Sequence, residues 1–203
     1  MFLKICGLTN EADAIHAAAA GATALGVVFA ASSPRCVSPD RARDIVEAVP
    51  ADVPVVGVFV NAPIDEIVAV VAHTGIRIVQ LHGDEPQQYA AVLKVPVLRA
   101  AGVDVALEAW PTATLLLDAV SGVARGGTGQ RVDWHAAAAI ARRRKTVLAG
   151  GLTADNVAEA IAIVQPFGVD VSSGVEAAPG RKDPDKVSRF LDTARKAFVE
   201  GGL

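Results

Sequence analysis

The chain has 203 residues, of which 52% are apolar, 20% charged and only 4% aromatic, with a formal net charge of −3. That length fits one domain with a sizeable core of small aliphatic side chains, and the charge leaves no basic footprint for nucleic acid. Two cysteines cannot build a disulfide framework. The N-terminus does not read as a signal peptide, and the longest uncharged stretch, Ala14 to Pro34, is broken by His16, Thr23, Ser32 and Ser33, short of the ~20 apolar residues that span a membrane. A soluble, cytoplasmic protein that binds neither nucleic acid nor membrane is expected.

Taken in order, a strand over Leu3–Cys6 leads to a helix near Ala12–Ala20, and a strand over Leu25–Phe29 to a helix over Pro39–Ala48. The strand Val55–Val60 precedes a helix over Pro63–Ala72, and Ile78–Leu81 precedes one over Pro86–Leu93. Val97–Ala100 is followed by a stretch too short and irregular for a helix. Thr114–Leu117 leads through a Gly-rich segment to a helix over His135–Arg143. Thr146–Ala149 precedes a helix over Ala154–Val164, and Val169–Val171 precedes one over Pro184–Phe198. Pro39, Pro63, Pro86 and Pro184 stand at plausible first helical positions. The basic run Arg142-Arg143-Arg144-Lys145 sits where a helix ends and its dipole favours cations.

Strands alternating with helices indicate βαβ units and a parallel sheet. About eight units of roughly 25 residues meet the lower limit of a single (β/α)₈ TIM barrel over residues 1–203, an eight-stranded parallel barrel with outer helices. A doubly wound open sheet needs only five or six strands and leaves units unplaced. Strand parity then sorts the polar residues. Lys4 and Cys6 share one face, Gln80 and His82 share one face, and Asp118 shares parity with Leu116. All are expected to point into the barrel near the C-terminal strand ends, where barrel active sites lie.

Cys6 is either a small buried hydrophobe or, with Lys4 on its face lowering the thiol pKa, a base. Asp118 is either a loop-start aspartate or a general acid beneath a loop carrying Gly122, Gly126, Gly127 and Gly129, its pKa raised by shielding. Gly150 and Gly151 follow the seventh strand; Ser172, Ser173 and Gly174 follow the eighth. Each loop is either an ordinary turn or part of a phosphate site, and two of them in the last two units point to phosphate. Arg35, in Ser33-Pro34-Arg35, is a solvated loop residue or a bidentate fork for a carboxylate. His82 either orients a substrate or fills a polar barrel position. No His/Cys/carboxylate cluster has metal spacing and no dinucleotide fingerprint is present, so neither metal nor cofactor is expected.

Together these segments resemble the phosphoribosylanthranilate isomerase family of tryptophan biosynthesis. The matching stretches are Lys4-Ile5-Cys6-Gly7-Leu8-Thr9, Ser33-Pro34-Arg35, Gly57–Asn61, Gln80-Leu81-His82-Gly83, Leu117-Asp118 with Gly126-Gly127-Thr128-Gly129, Ala149–Leu152 with Asn156-Val157, and Asp170–Glu176 with Pro179-Gly180 and Lys182-Asp183. The resemblance implies a cofactor-free Amadori rearrangement of a phosphorylated aminosugar by a monomer or homodimer. It casts Asp118 as the acid that opens the ribose ring and Cys6 as the base at C2. It assigns Arg35 to the anthranilate carboxylate, and the backbone around Gly150, Gly151, Ser173 and Gly174 to the phosphate. Other phosphate-binding barrels, such as sugar-phosphate epimerases or a histidine-pathway isomerase, are disfavoured by Cys6-Gly-Leu-Thr. A silent binding barrel is disfavoured by the presence of both Cys6 and Asp118. One departure is Cys36, where the family commonly has an aromatic residue; its position on the predicted face of Cys6 raises the expectation that the two thiols pair on oxidation.

Overall fold

The computed structural model describes residues 1–121, 124–125 and 132–202. Its apolar runs form eight parallel strands closed into a barrel. In chain order these begin with β1 (Phe2–Ile5), β2 (Ala24–Val28), β3 (Val55–Phe59), β4 (Ile78–Leu81), β5 (Val97–Ala101) and β6 (Thr114–Leu117). A small hairpin of β7 (Val120–Ser121) and β8 (Ala124–Arg125) stands outside the barrel. β9 (Thr146–Leu148) and β10 (Gly168–Val171) complete the barrel, and a second hairpin, β11 (Glu176–Ala178) with β12 (Arg181–Lys182), follows. Closure is made by β1, which pairs Lys4 with Ala24 on one side and with Asp170 on the other. Every barrel strand lies within about a residue of its expected bounds.

Strand parity divides the apolar residues into two cores. Ala24, Val56, Leu98, Leu116 and Val147 fill the barrel. Alternating residues such as Leu3, Ile5, Leu25, Leu81, Leu115 and Val169 face outward and pack under the helices. The helices are α1 (Glu11–Ala19), α2 (Pro39–Ala48), α3 (Ile64–Thr74), α4 (Tyr89–Val92), α5 (Trp134–Ala141), α6 (Val157–Val164) and α7 (Pro184–Glu200). Starts follow the capping chemistry: Asn10, Ser38, Asp133 and Asp183 each accept a backbone N–H, and Pro39 and Pro184 open α2 and α7. Among the described residues no helix is long and apolar enough to cross a membrane.

Three readings change. The expected helix Pro86–Leu93 is only the single turn α4, with no side-chain cap and no buried residue; with only Tyr89 and Ala90 of it partly packed against the core, so short a helix does not propagate. Pro63 caps α3 rather than entering it. Arg144, expected to serve a helix dipole, instead donates to four carbonyls, of Leu107, Ala109, Trp110 and Ala113. One guanidinium thereby satisfies the backbone of the non-helical segment that follows β5. The glycines Gly122, Gly126, Gly127 and Gly129, read as a loop over the site, lie outside the described residues.

Candidate active site

The site is assembled at the C-terminal ends of the strands, on a polar layer above the barrel's apolar filling. Lys4 has no exposure to solvent. Its ammonium donates to Gln80 Oε1 and to Asp170 Oδ2, both at 3.0 Å. An ammonium only donates, so it fixes the Gln80 amide with Nε2 turned toward His82 Nδ1 at 2.8 Å. In the neutral ring Nδ1 then accepts and Nε2 carries the hydrogen. Nε2 lies 3.5 Å from Asp118 Oδ2, while Asp118 Oδ1 accepts from the N–H of Ala119 at 2.8 Å. A polar chain thus runs from Asp170 through Lys4, Gln80 and His82 to Asp118. His82, read from the sequence as either orienting a substrate or filling a polar barrel position, lies beside the candidate acid.

Cys6 is buried two residues beyond Lys4 on the same inward face. Room for its thiol comes from Gly26: a Cβ there would lie 2.7 Å from Cys6 Sγ and 3.1 Å from Lys4 Cε. Burial pushes the Cys6 pKa above the ordinary thiol value; Lys4 opposes this and Asp170 adds to it. The expectation that Lys4 makes the thiol acidic is therefore corrected for the free protein, because the ammonium is already partnered by Asp170 and desolvation wins. Burial also tends to depress Lys4, but Asp170 and Cys6 outweigh it and its pKa is raised. The two cysteines are free, Cys36 being exposed with its Sγ 3.9 Å from the Val37 carbonyl.

Gly150, Gly151, Ser172, Ser173 and Gly174 line one recess of about 40 Å³ together with Asp118 and Asp170. That is about three times the space one water needs, a volume on the scale of a small anion. Gly150 and Gly151 have φ of 79° and 65°, conformations that glycine adopts without penalty. A Cβ at Gly174 would fall on the Leu152 carbonyl. Asn156 braces the loop, accepting from Thr153 N and donating to the Gly151 carbonyl. On the other side of Asp118 lies a larger cavity of about 350 Å³, lined in part by His82, Arg99, Val105 and Trp110, within the size range of small-molecule sites.

Arg35 lies over Gly7, where a Cβ would strike its Cδ at 2.5 Å. Its Nε and Nη2 are held by Glu176 at 2.8 and 2.7 Å. Lys182 Nζ donates to the same carboxylate at 2.9 Å and to the Ser172 carbonyl at 3.1 Å. Burial pushes Glu176 upward, but these two cations outweigh it and hold its carboxyl below the usual range. Lys182 is lowered by burial, which Glu176 only partly offsets. Two cations thus face one anion here, and the surplus positive charge lies beside the recess. Among the described residues no cluster suited to a metal ion is found.

With this geometry in place, the comparisons with known proteins become specific. The family model of N-(5'-phosphoribosyl)anthranilate isomerase matches residues 3–193. The chain belongs to that family. An N-(5'-phosphoribosyl)anthranilate isomerase from Pelobacter propionicus is 47% identical, covering 98% of this chain and 97% of its own. The crystal structure of the isomerase from Thermotoga maritima superposes with a TM-score of 0.89 at 39% identity, covering 97% of this chain and 99% of its own. A further family structure, in complex with reduced 1-(o-carboxyphenylamino)-1-deoxyribulose 5-phosphate, gives 0.85 at 37% identity over 97% and 99%.

Sequence reasoning did not single out Asp170, Glu176 and Lys182 individually. A signal existed for the first: Asp170 stands between Val169 and Val171 and so falls on the inward face opposite Lys4. Lys182 carried no such signal, because the hairpin that turns it inward was not foreseen.

Proposed function

We propose that the site isomerises N-(5'-phosphoribosyl)anthranilate to 1-(2-carboxyphenylamino)-1-deoxyribulose 5-phosphate, a step of tryptophan biosynthesis, with Cys6 and Asp118 as base and acid. The observation that carries the assignment is the meeting, in one strand-end site, of an inward thiol, an inward carboxylate and a recess built from both phosphate-type loops.

The recess takes the phosphate, on the backbone around Gly150, Gly151, Ser172, Ser173 and Gly174, next to the surplus charge of Arg35 and Lys182. Asp118 protonates the ribose ring oxygen. The C1–O bond breaks as the nitrogen lone pair forms a C1=N iminium. His82 and the Ala119 N–H hold the carboxyl in place. Cys6 then takes the proton from C2, and the C–H electron pair forms the C1=C2 bond while the nitrogen regains its lone pair. The enolamine becomes the ketone when the C1=C2 electron pair takes a proton at C1 and the C2 hydroxyl gives up its own proton as C2=O forms. Cys6 is a thiol in the free protein, so its thiolate is favoured at the moment the cationic iminium forms beside it. The iminium is the electron sink, and no step calls on a metal or redox group. Arg35 binds the anthranilate carboxylate. Glu176 takes the Nε–H and one N–H of Nη2, so Arg35 keeps both N–H donors of Nη1 and one of Nη2, and its outer edge still offers a fork to the anthranilate carboxylate.

The test follows anthranilate fluorescence as the substrate is consumed by the parent, Cys6→Ser and Asp118→Asn. The parent should turn over, and each variant should lose ~10²-fold or more, the usual weight of a positioned acid or base. A parent that binds phosphate and leaves this substrate untouched refutes the assignment.

A further inference from the structure

Arg35 rides on the irregular stretch between β2 and α2, yet its guanidinium is gripped along one edge. The Nε–H and one N–H of Nη2 go to Glu176. That carboxylate is itself held: Lys182 Nζ donates to Oε1 at 2.9 Å and the Gly180 N–H donates to it at 3.4 Å. Gly180 stands at the turn of the β11–β12 hairpin and accepts from Thr9 Oγ1 at 2.6 Å. A Cβ there would come within 3.4 Å of the Pro34 carbonyl, so the hairpin leans on the residue just before Arg35. The Arg35 side chain keeps 13% of its surface exposed, while Glu176 keeps 5%. For an anion site the arrangement is electrostatically odd. Burial pushes the Glu176 pKa up, but Arg35 and Lys182 outweigh this and hold it below the usual range. The charge it keeps has the same sign as the ligand carboxylate assigned to Arg35 and repels it. An anion retained there calls for a gain of another kind.

We propose that Glu176 is a positioning residue that sets which edge of the Arg35 guanidinium meets the substrate, and so makes the site selective for an aromatic amine with a carboxylate ortho to its nitrogen. This rests on the isomerase reading above and deepens it. An unrestrained arginine loses rotamer freedom with each fork it makes, and a planar guanidinium already oriented loses less. With Nε and one donor of Nη2 taken from the side, the donors left lie on the Nη1–Nη2 edge, a coplanar pair matched to a carboxylate. The stem of Arg35 fixes where that edge can reach. A Cβ at Gly7 would lie 2.5 Å from Arg35 Cδ and 2.9 Å from Ser172 Oγ, so the side chain crosses the turn after Cys6, close to the phosphate loop. The ortho position is the ring position nearest the C1–N bond, and C1 is bonded to the carbon on which Cys6 acts. An oriented guanidinium beside Cys6 therefore selects ortho substitution.

Glu176→Gln separates orientation from charge. Arg35 and Lys182 only donate, so wherever the amide oxygen settles, the amide NH₂ faces an N–H donor in the other position. If Glu176 merely offsets positive charge, neutralising it tightens the hold on a substrate carboxylate; if it aims Arg35, that hold weakens. The experiment measures kcat and KM of the parent, Glu176→Gln and Glu176→Asp with N-(5'-phosphoribosyl)anthranilate and with the carboxylate-free N-(5'-phosphoribosyl)aniline, following the ketose product by chromatography. Competitive inhibition by inorganic phosphate is measured alongside. The parent should prefer the anthranilate compound. Glu176→Gln should cut that preference roughly 10- to 100-fold, the range of a hydrogen bond to a charged group. The drop should fall on KM, since the carboxylate contact is the same in ground and transition states. Glu176→Asp, with the charge kept on a shorter stem, should lie between the two, and phosphate inhibition should hold or tighten in both variants. Two results overturn the proposal. An anthranilate KM that holds or falls in Glu176→Gln makes Glu176 a countercharge only. Equal losses on the two substrates, or an equal loss of phosphate inhibition, make it a prop for the hairpin. If Glu176→Gln does not fold, Glu176→Asp decides by the same comparison. A parent that uses both substrates equally well removes this proposal and leaves the isomerase reading; one that turns over neither removes both.

Discussion

Gly26→Ala should damage the chemistry more than the fold. Gly26 has no positive φ, so alanine meets no backbone penalty there, and the added methyl acts through space alone. Its Cβ would stand 2.7 Å from Cys6 Sγ and 3.1 Å from both Cys6 Cα and Lys4 Cε. Comfortable carbon contacts lie near 3.5–4.0 Å, so the thiol must retreat by about 1 Å. A misplacement of that size at a reacting group costs on the order of 10²-fold. Overpacking a filled interior costs about 1–3 kcal/mol, or roughly 2–12 °C in Tm for a chain of this length. The assay pairs single-turnover loss of anthranilate fluorescence with a thermal melt. The expected result is a ~10²-fold lower rate in a protein that still melts cooperatively. A variant within about threefold of the parent rate would show that Sγ at its observed position is not the reacting atom, and would falsify the role given to Cys6.

Two further outcomes follow from the electrostatics and from the loop strut. Because burial raises the Cys6 pKa, the thiolate absorbance that Cys6→Ser removes should grow in only above pH 9.0, the unperturbed thiol value. A raised folded-state pKa also means that Cys6 contributes stability fully present below that value and lost as pH climbs through the folded one. Thiolate absorbance should therefore rise while Tm falls over the same alkaline window, and Cys6→Ser should remove that contribution to both; a Cys6 thiolate already present near neutrality contradicts this. Arg144→Ala strips four carbonyls of their donor and should cost at least about 2 kcal/mol. Its Trp110 emission should shift red as the segment loosens. Arg144→Lys should not restore it, since an ammonium lacks the guanidinium's fork of donors. A parent-like melt and spectrum for Arg144→Ala would count against the strut.

The sequence announced the barrel because parallel strands covered on both faces are written as short apolar runs, and Leu25–Val28 or Val55–Phe59 have little else in them. It announced the inward polar layer because parity needs no knowledge of the partner strand. Lys4, Gln80 and Asp118 followed from counting in twos. Properties set by long-range neighbours did not. Whether Cys6 is acidic depends on how strongly Asp170 already claims Lys4. Which edge of the Arg35 guanidinium is left for a ligand depends on Glu176, 141 positions away. Arg144 looked like one member of a basic run, and only the irregular path after β5 gave its guanidinium four acceptors. The turn at Tyr89–Val92 failed for a related reason: proline and helix-forming residues mark a start, but only a buried face sustains a helix.

The Lys4–Asp170 contact joins positions 166 residues apart, the first barrel strand to the last. Until β10 docks, Lys4 is an ordinary solvated lysine, and sealing it inside the barrel without its anion is prohibitive. Ring closure and charge burial are consequently one event. During synthesis a chain emerging without its final segment holds an open, wet sheet in which thiol, acid and phosphate loops have not met. The competent site is a late product of folding, and a nascent fragment lacking β10 has neither the Asp170 and Val171 lining of the recess nor the partner that lets Lys4 go inside.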